Sequence, residues 1–225
     1  FWENLKKPKK LNIIELGAGN GEMIKIIYDT LEKFPSLYKI CKIVILEKSP
    51  YLKKIQKENL KYKNIYWVDN LNKIKNGPNI FLANEFFDSL PIKQFYKKEK
   101  LFFEKYVALS KDKKKIKFLN KKADNNLIRS IQNLNLINVG NTIEYPVEAI
   151  KFLETISKKI NKFDGGLLAF DYGYTINKNQ NTLQSVKKHK YVDVSLTPGQ
   201  SDITSHINFQ LFRKVLNKNK LQVKK

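Results

Sequence analysis

Short apolar runs along the chain alternate with stretches of helical spacing. Leu11 to Leu16 (LNIIEL) is an apolar run that stops at glycines, which predicts a buried strand. Glu22 to Phe34 carries Met23, Ile26, Ile27 and Leu31 at the spacing of an amphipathic helix. Lys42 to Leu46 (KIVIL) predicts a second buried strand. Pro50 opens a helix, because a first turn tolerates proline, and Leu52, Ile55 and Leu60 mark its inner face. Ile65 to Val68 and Asn79 to Ala83 predict a third and a fourth strand. A helix from Val147 to Ile160 then leads to a fifth, Gly165 to Phe170. This alternation predicts an α/β fold, a mostly parallel sheet with helices on both faces. Between the fourth and fifth strands lies an irregular insertion, about residues 92–145, within a single domain spanning 1–225. Inside it, Leu101 to Leu109 and Lys115 to Leu119 predict a hairpin joined by the turn Lys111 to Lys114. No internal repeat is visible. The polar stretch from Asn217 onward is expected to fray. The chain starts at Phe1 and stops as a further strand begins, so it is expected to be truncated at both ends.

The first strand runs into Glu15-Leu16-Gly17-Ala18-Gly19-Asn20-Gly21 at a strand-to-helix turn. Such glycines let the backbone bend sharply and approach a ligand closely. The helix start beyond them offers free N–H groups and partial positive charge. A dinucleotide site wants Gly-x-Gly-x-x-Gly, with the third glycine one residue later. Here a carboxylate also stands two residues before the first glycine. That is awkward for a pyrophosphate and suits a ligand with an ammonium group, such as the amino-acid end of S-adenosylmethionine. The plain alternative is a glycine-rich turn with no ligand.

The later strands also end in acids or amides: Glu47, Asp69, Asn84-Glu85 with Asp88 close behind, and Asp171. Ligands of open α/β sheets bind at the carboxyl ends of strands. Glu47 is placed to accept hydrogen bonds from ribose hydroxyls, and Asp69 to face an adenine amino group. Any one of these acids is equally well a solvated strand end or a helix cap; the set, with the glycine turn, says more. In Asn84-Glu85-Phe86-Phe87-Asp88-Ser89-Leu90-Pro91 two carboxylates flank two aromatics. Paired carboxylates hold a guanidinium by forked, charge-assisted hydrogen bonds. Alternatively, Asp88-Ser89 caps the next turn while the phenylalanines pack.

Composition narrows the choice of class. One cysteine, Cys41, leaves no internal disulfide and no cysteine-based zinc site, and two histidines make no metal centre, so no metal is expected. No apolar run approaches the roughly 20 residues that span a bilayer. The formal charge of +22 first suggests a polyanion partner. Yet only Arg129 and Arg213 are arginine, and the lysines are scattered. Abundant Lys, Asn and Ile together are what an AT-rich genome yields without selection for binding. No specific nucleic acid is expected as a partner.

The motifs ELGAGNG, ILEKSPYLKKIQ, ANEFFDSLPIKQF, FDYGY and TLQSVKKHKYVDVSLTPGQSDITSHINF occur here in one order. Together they resemble the MidA-type S-adenosylmethionine-dependent methyltransferases, a family that includes a mitochondrial complex I assembly factor that methylates an arginine. The likeness spans nearly the whole chain. At the variable positions of the glycine turn, where that family generally has proline and arginine, this chain has Ala18 and Asn20. The resemblance implies a Rossmann-like class I methyltransferase fold and S-adenosylmethionine as cofactor. It implies cofactor contacts from Glu15, Gly17, Ala18, Gly19, Gly21, Glu47, Ser49, Asp69 and Asn84. It further implies methyl transfer to an arginine of a protein such as a complex I subunit. Glu85 is then the first catalytic candidate and Asp88 the second. Asp171, Asp202 and His206 border the substrate, although a lone histidine before a helix is commonly a cap or packing residue. His189, among lysines, reads as exposed. A bacterial source implies the cytoplasm, a eukaryotic one the mitochondrial matrix.

Two other readings stay open: a methyltransferase for a small molecule, and a non-catalytic cofactor-binding assembly chaperone. A dehydrogenase is disfavoured by the glycine spacing, and a nucleic-acid module by the want of an arginine-aromatic stripe. The sequence leaves the oligomeric state open.

Overall fold

The structure, a computed structural model, describes residues 2–112, 115–134, 136, 142–176, 181–196 and 199–224. Residues 113 and 114 of the expected lysine turn lie outside these, as do 197 and 198 of the last family motif. In chain order the elements are β1 (Leu11–Leu16), α1 (Glu22–Glu32), α2 (Pro35–Tyr38), β2 (Cys41–Leu46), α3 (Pro50–Asn59), β3 (Ile65–Val68), β4 (Asn79–Asn84), β5 (Lys93–Lys98), β6 (Leu101–Leu109), β7 (Ile116–Lys122), α4 (Asn125–Asn133), β8 (Thr142–Tyr145), α5 (Val147–Phe163), β9 (Gly165–Phe170), β10 (Gly173–Tyr174), β11 (Gln184–Lys187), β12 (Lys190–Val192), β13 (Asp202–Thr204), β14 (Ile207–Asn208) and α6 (Phe209–Lys218). They divide into two compact units, residues 2–86, 153–171 and 219–224, and residues 87–152 and 172–218.

The first unit is built on a five-stranded sheet of order β3-β2-β1-β4-β9, parallel at every pairing. This is the mostly parallel α/β sheet that the alternating pattern predicts. The chain steps outward from β1 to β3, then returns to lay β4 on the other side of β1. That reversal leaves the carboxyl ends of β1 and β4 at a topological switch point. Strand alternation puts Leu11, Ile13 and Glu15 on one face. Leu11 and Ile13 pack there with Ile43 and Ile45 of β2 and with Ile24, Tyr28 and Leu31 of α1. The inner stripe of α1 is thus Ile24, Tyr28 and Leu31, and Ile26 is 66% exposed. Of the expected stripe, Leu31 is buried and Met23 and Ile27 are half-buried, while Ile24 and Tyr28 take the inward positions. The Tyr28 ring stacks on Tyr62 and its hydroxyl pairs with that of Tyr38, 2.6 Å away. At the far edge, β4 and β9 approach so closely that a Cβ on Gly165 would lie 1.8 Å from the Asn79 carbonyl oxygen. Cys41 is buried at the start of β2, and burial pushes its thiol up to about 11.

The second unit carries an antiparallel sheet of order β7-β6-β5-β8, a three-stranded sheet of order β12-β11-β13, and the pair β10-β14. The β6–β7 hairpin is present as expected, with Val107 opposite Phe118. The stretch 92–145 is more regular than its sequence suggests, since β5, α4 and β8 all lie within it. Lysines hide β5: in KQFYKK only Gln94 and Phe95 are buried. Helix α6 buries Leu211, Phe212 and Val215, and Phe212 meets Phe87 edge to face at 5.1 Å.

Candidate cofactor and active site

The turn after β1 is held open by backbone geometry. Gly17, Gly19 and Gly21 have φ of 68°, 52° and 88°. At Gly21 a Cβ would stand 2.8 Å from Leu60, so this position admits no side chain without a shift. Beside Gly19, by contrast, a Cβ would meet nothing within 4 Å. Ala18 is buried, and its carbonyl accepts from the Gly21 N–H at 2.7 Å. Helix α1 then starts from Gly21 with no side-chain cap.

Glu15 is 4% exposed, and its Oε2 has no hydrogen-bond partner among the described residues. A buried carboxylate without partners loses its hydration, so the neutral form gains. Burial accordingly pushes the Glu15 carboxyl up to about 7. A buried, unsatisfied acid beside an open glycine turn fits a ligand that brings its own cation.

Glu47 lies one residue beyond β2. Its Oε1 accepts from the Ser49 N–H at 2.8 Å, and its Oε2 from Gln56 Nε2 at 3.0 Å. A carboxylate oxygen can accept twice, so each retains capacity for one hydroxyl of a vicinal diol. Ser49 also caps α3, its Oγ accepting from the Leu52 N–H at 3.3 Å. The chain's own residues therefore fit both ends of S-adenosylmethionine: Glu15 and the glycine turn its amino-acid tail, Glu47 its ribose.

Gln56 is the residue that sequence reading missed. It is the one buried residue of α3 and is fully enclosed. It stands four residues from both Leu52 and Leu60 on one helical stripe, where a polar side chain reads as an interruption of the apolar pattern.

The remaining acids of the first unit are more open. Asp69 is exposed and pairs with Lys73, 2.8 Å away, which holds its carboxyl below the usual carboxylate range. Asn84 and Glu85 are exposed at the end of β4, and Asp171 is half-buried after β9. Glu85 takes the left-handed conformation, φ 47°, which is uncommon for a side chain of this kind. Its N–H donates to the Phe170 carbonyl at 2.9 Å, which ties the ends of β4 and β9 together.

In the second unit, Asp88 is buried and lines a half-open cavity of about 320 Å³ with Pro91, Gln94, Lys105, Phe118 and Thr204. The Asp88 carbonyl accepts from the Ser205 N–H at 3.0 Å. Asp202 is exposed on β13. His206 is exposed, and its backbone N–H donates to Thr182 Oγ1. Thr182 in turn donates to Glu144, which Gln94 also contacts at 2.8 Å. Glu144, which nothing in the sequence singles out, is a structural hub of this unit. His189 is exposed in the β11–β12 turn, as its lysine neighbours suggest.

An open parallel sheet with a glycine turn and acids at its carboxyl edge defines a nucleoside-binding α/β enzyme. Residues 1–225 match the family described as "Putative S-adenosyl-L-methionine-dependent methyltransferase", and the chain belongs to it. Its cofactor is S-adenosyl-L-methionine. The chain is 30% identical over 221 residues to the protein named protein arginine methyltransferase NDUFAF7 homolog, mitochondrial, of Caenorhabditis elegans, covering 88% of this chain and 51% of that one. It is 26% identical over 239 residues to the Homo sapiens protein arginine methyltransferase NDUFAF7, mitochondrial, covering 95% and 53%. The chain thus spans about half the length of these curated relatives. In fold it is similar to a Burkholderia thailandensis protein solved with S-adenosyl-homocysteine bound, with a TM-score of 0.73 at 20% identity over 96% of this chain and 58% of that one. A second Burkholderia thailandensis structure gives a TM-score of 0.76 at 19% identity, over 96% and 60%. Among the described residues no helix is long and apolar enough to cross a membrane.

Proposed function

We propose that this methyltransferase acts on an arginine of a protein, as the names of its relatives say of them. The observation that carries the reading is Glu85, an exposed carboxylate held in a left-handed backbone at the switch-point edge of the sheet. Such strain persists only where the surroundings enforce it, and it gathers at functional sites.

S-adenosylmethionine supplies an electrophilic methyl group on a sulfonium. Glu15, Gly17, Ala18, Gly19 and Gly21 hold its amino-acid end, and Glu47 and Ser49 its sugar. Asp69 and Asn84 complete the nucleoside's surroundings. Glu85 accepts the proton that a guanidinium nitrogen must lose as it attacks, because that group stays protonated in water. Asp88 takes a second, orienting role by charge-assisted hydrogen bonding, and Asp171, Asp202 and His206 border the incoming peptide. The whole chain acts as one methyltransferase domain with the segment 92–145 inserted. A complex I subunit is the substrate the relatives' name suggests. The mitochondrial matrix is the compartment in a eukaryotic source and the cytoplasm in a bacterial one.

Incubation with methyl-labelled cofactor and a lysate of the source organism, followed by mass spectrometry, tests the reading. Mass gain on arginine is expected, and Glu85→Gln should reduce it roughly 100-fold or more, a usual loss for a proton acceptor. Label on lysine, nucleic acid or a metabolite would refute the arginine assignment. Cofactor binding with no label anywhere would favour the assembly-chaperone role.

A further inference from the structure

Gln56 is fully buried in the first unit, and three hydrogen bonds hold its side chain. Its Nε2 donates to the Gly19 carbonyl at 2.8 Å and to Glu47 Oε2 at 3.0 Å. Its Oε1 accepts from the Trp67 indole N–H at 3.0 Å. The indole can only donate, so it fixes the amide oxygen toward β3 and the nitrogen toward the two acceptors. The neighbouring contacts run in the same direction. Asn59 Nδ2 donates to the Asn20 carbonyl at 3.1 Å, and Leu60 packs where a Cβ of Gly21 would stand. Helix α3 is therefore strapped to the glycine turn, and Gln56 alone among these contacts also reaches Glu47.

We infer that Gln56 is a positioning residue for the cofactor. Its amide locks the Glu47 carboxylate and the Gly19 carbonyl into one arrangement, so that the sugar-holding and tail-holding parts of the site keep a fixed spacing. The inference rests on the reading of Glu47 as the ribose acid. The chemistry selects an amide. Two donated hydrogens and one accepted bond are needed at a fully enclosed site. Glutamate cannot donate when ionised, and methionine cannot donate at all. A lysine or arginine would neutralise Glu47 and compete with the hydroxyls it is to receive. A carboxylate already oriented by two donors loses little freedom when a ligand arrives, which is how preorganisation raises affinity.

A double-mutant cycle on the purified protein tests this, with calorimetric binding of S-adenosylhomocysteine as the readout. Glu47→Ala and Gln56→Met are each expected to weaken binding about tenfold. The double variant should fall within about threefold of Glu47→Ala alone, because with Glu47 gone Gln56 has only the Gly19 carbonyl left to position. Losses that multiply instead would mean a general packing role and overturn the inference. Unchanged affinity in Gln56→Met, beside a weakened Glu47→Ala, overturns it while the ribose reading stands. Wild-type affinity in Glu47→Ala sinks both. Should Gln56→Met fail to fold, Trp67→Phe carries the same cycle, since it keeps the amide and removes what orients it. A loss of about threefold is expected in the wild-type background and a smaller one in Glu47→Ala; equal losses in both, or no loss in either, overturn the proposal.

Discussion

Glu15 makes the clearest single-residue prediction. Burial pushes its carboxyl up to about 7 in the folded chain, against an ordinary value of 4.5. Below about pH 4.5 both states are protonated and the residue costs nothing. Between there and 7 the unfolded chain ionises first, so stability falls as pH rises, and above 7 the loss is constant. Glu15→Gln should therefore be about as stable as wild type at pH 4 and more stable at pH 8, by up to about 3 kcal/mol. Urea titrations at the two pH values check the sign. Ligand binding should show the reverse preference. A cationic group arriving beside Glu15 favours the ionised acid, so S-adenosylhomocysteine should bind wild type more tightly at pH 8 than at pH 6. Calorimetry on Glu15→Gln should lose that difference. A pH-independent wild type would show that the ammonium sits elsewhere.

At the scale of elements, the β4–β9 pairing depends on Gly165. A methyl group there would meet the Asn79 carbonyl oxygen at an impossible 1.8 Å, and φ at this residue is 131°. Gly165→Ala is expected to cost about 3 kcal/mol or more, comparable to other severe backbone clashes. A thermal melt would show it, and a midpoint within a degree or two of wild type would mean that β9 is free to shift. The five parallel strands were legible from the sequence because strands buried on both faces are apolar runs without alternation, as in NIFLAN and CKIVIL. Of the smaller elements the β6–β7 hairpin was legible, and β5 was not. β5 has lysine at Lys93, Lys97 and Lys98, which masks its buried pair, Gln94 and Phe95. Within the candidate site, glycines and acids announce themselves by type and spacing. Gln56 does not, because a polar residue on an apolar helix stripe reads as an interruption until its partners, 9, 11 and 37 positions away in sequence, are seen around it.

For the molecule as a whole, a charge of +22 with two arginines predicts attraction without specificity. Binding to heparin or to random duplex DNA should fall at least tenfold between 50 and 200 mM salt, as counterion release requires. It should not distinguish one duplex sequence from another. A salt-resistant, sequence-selective complex would restore the nucleic-acid reading. The single thiol of the chain has a quieter effect. Cys41 is enclosed at the foot of a central strand, and burial pushes its thiol up to about 11, so the sulfur nucleophile is scarce at neutral pH. Peroxide and maleimide reagents should pass this chain by. A cysteine introduced at an exposed turn such as His189 would take up a fluorophore alone, which opens the protein to distance measurements without first stripping its natural sulfur.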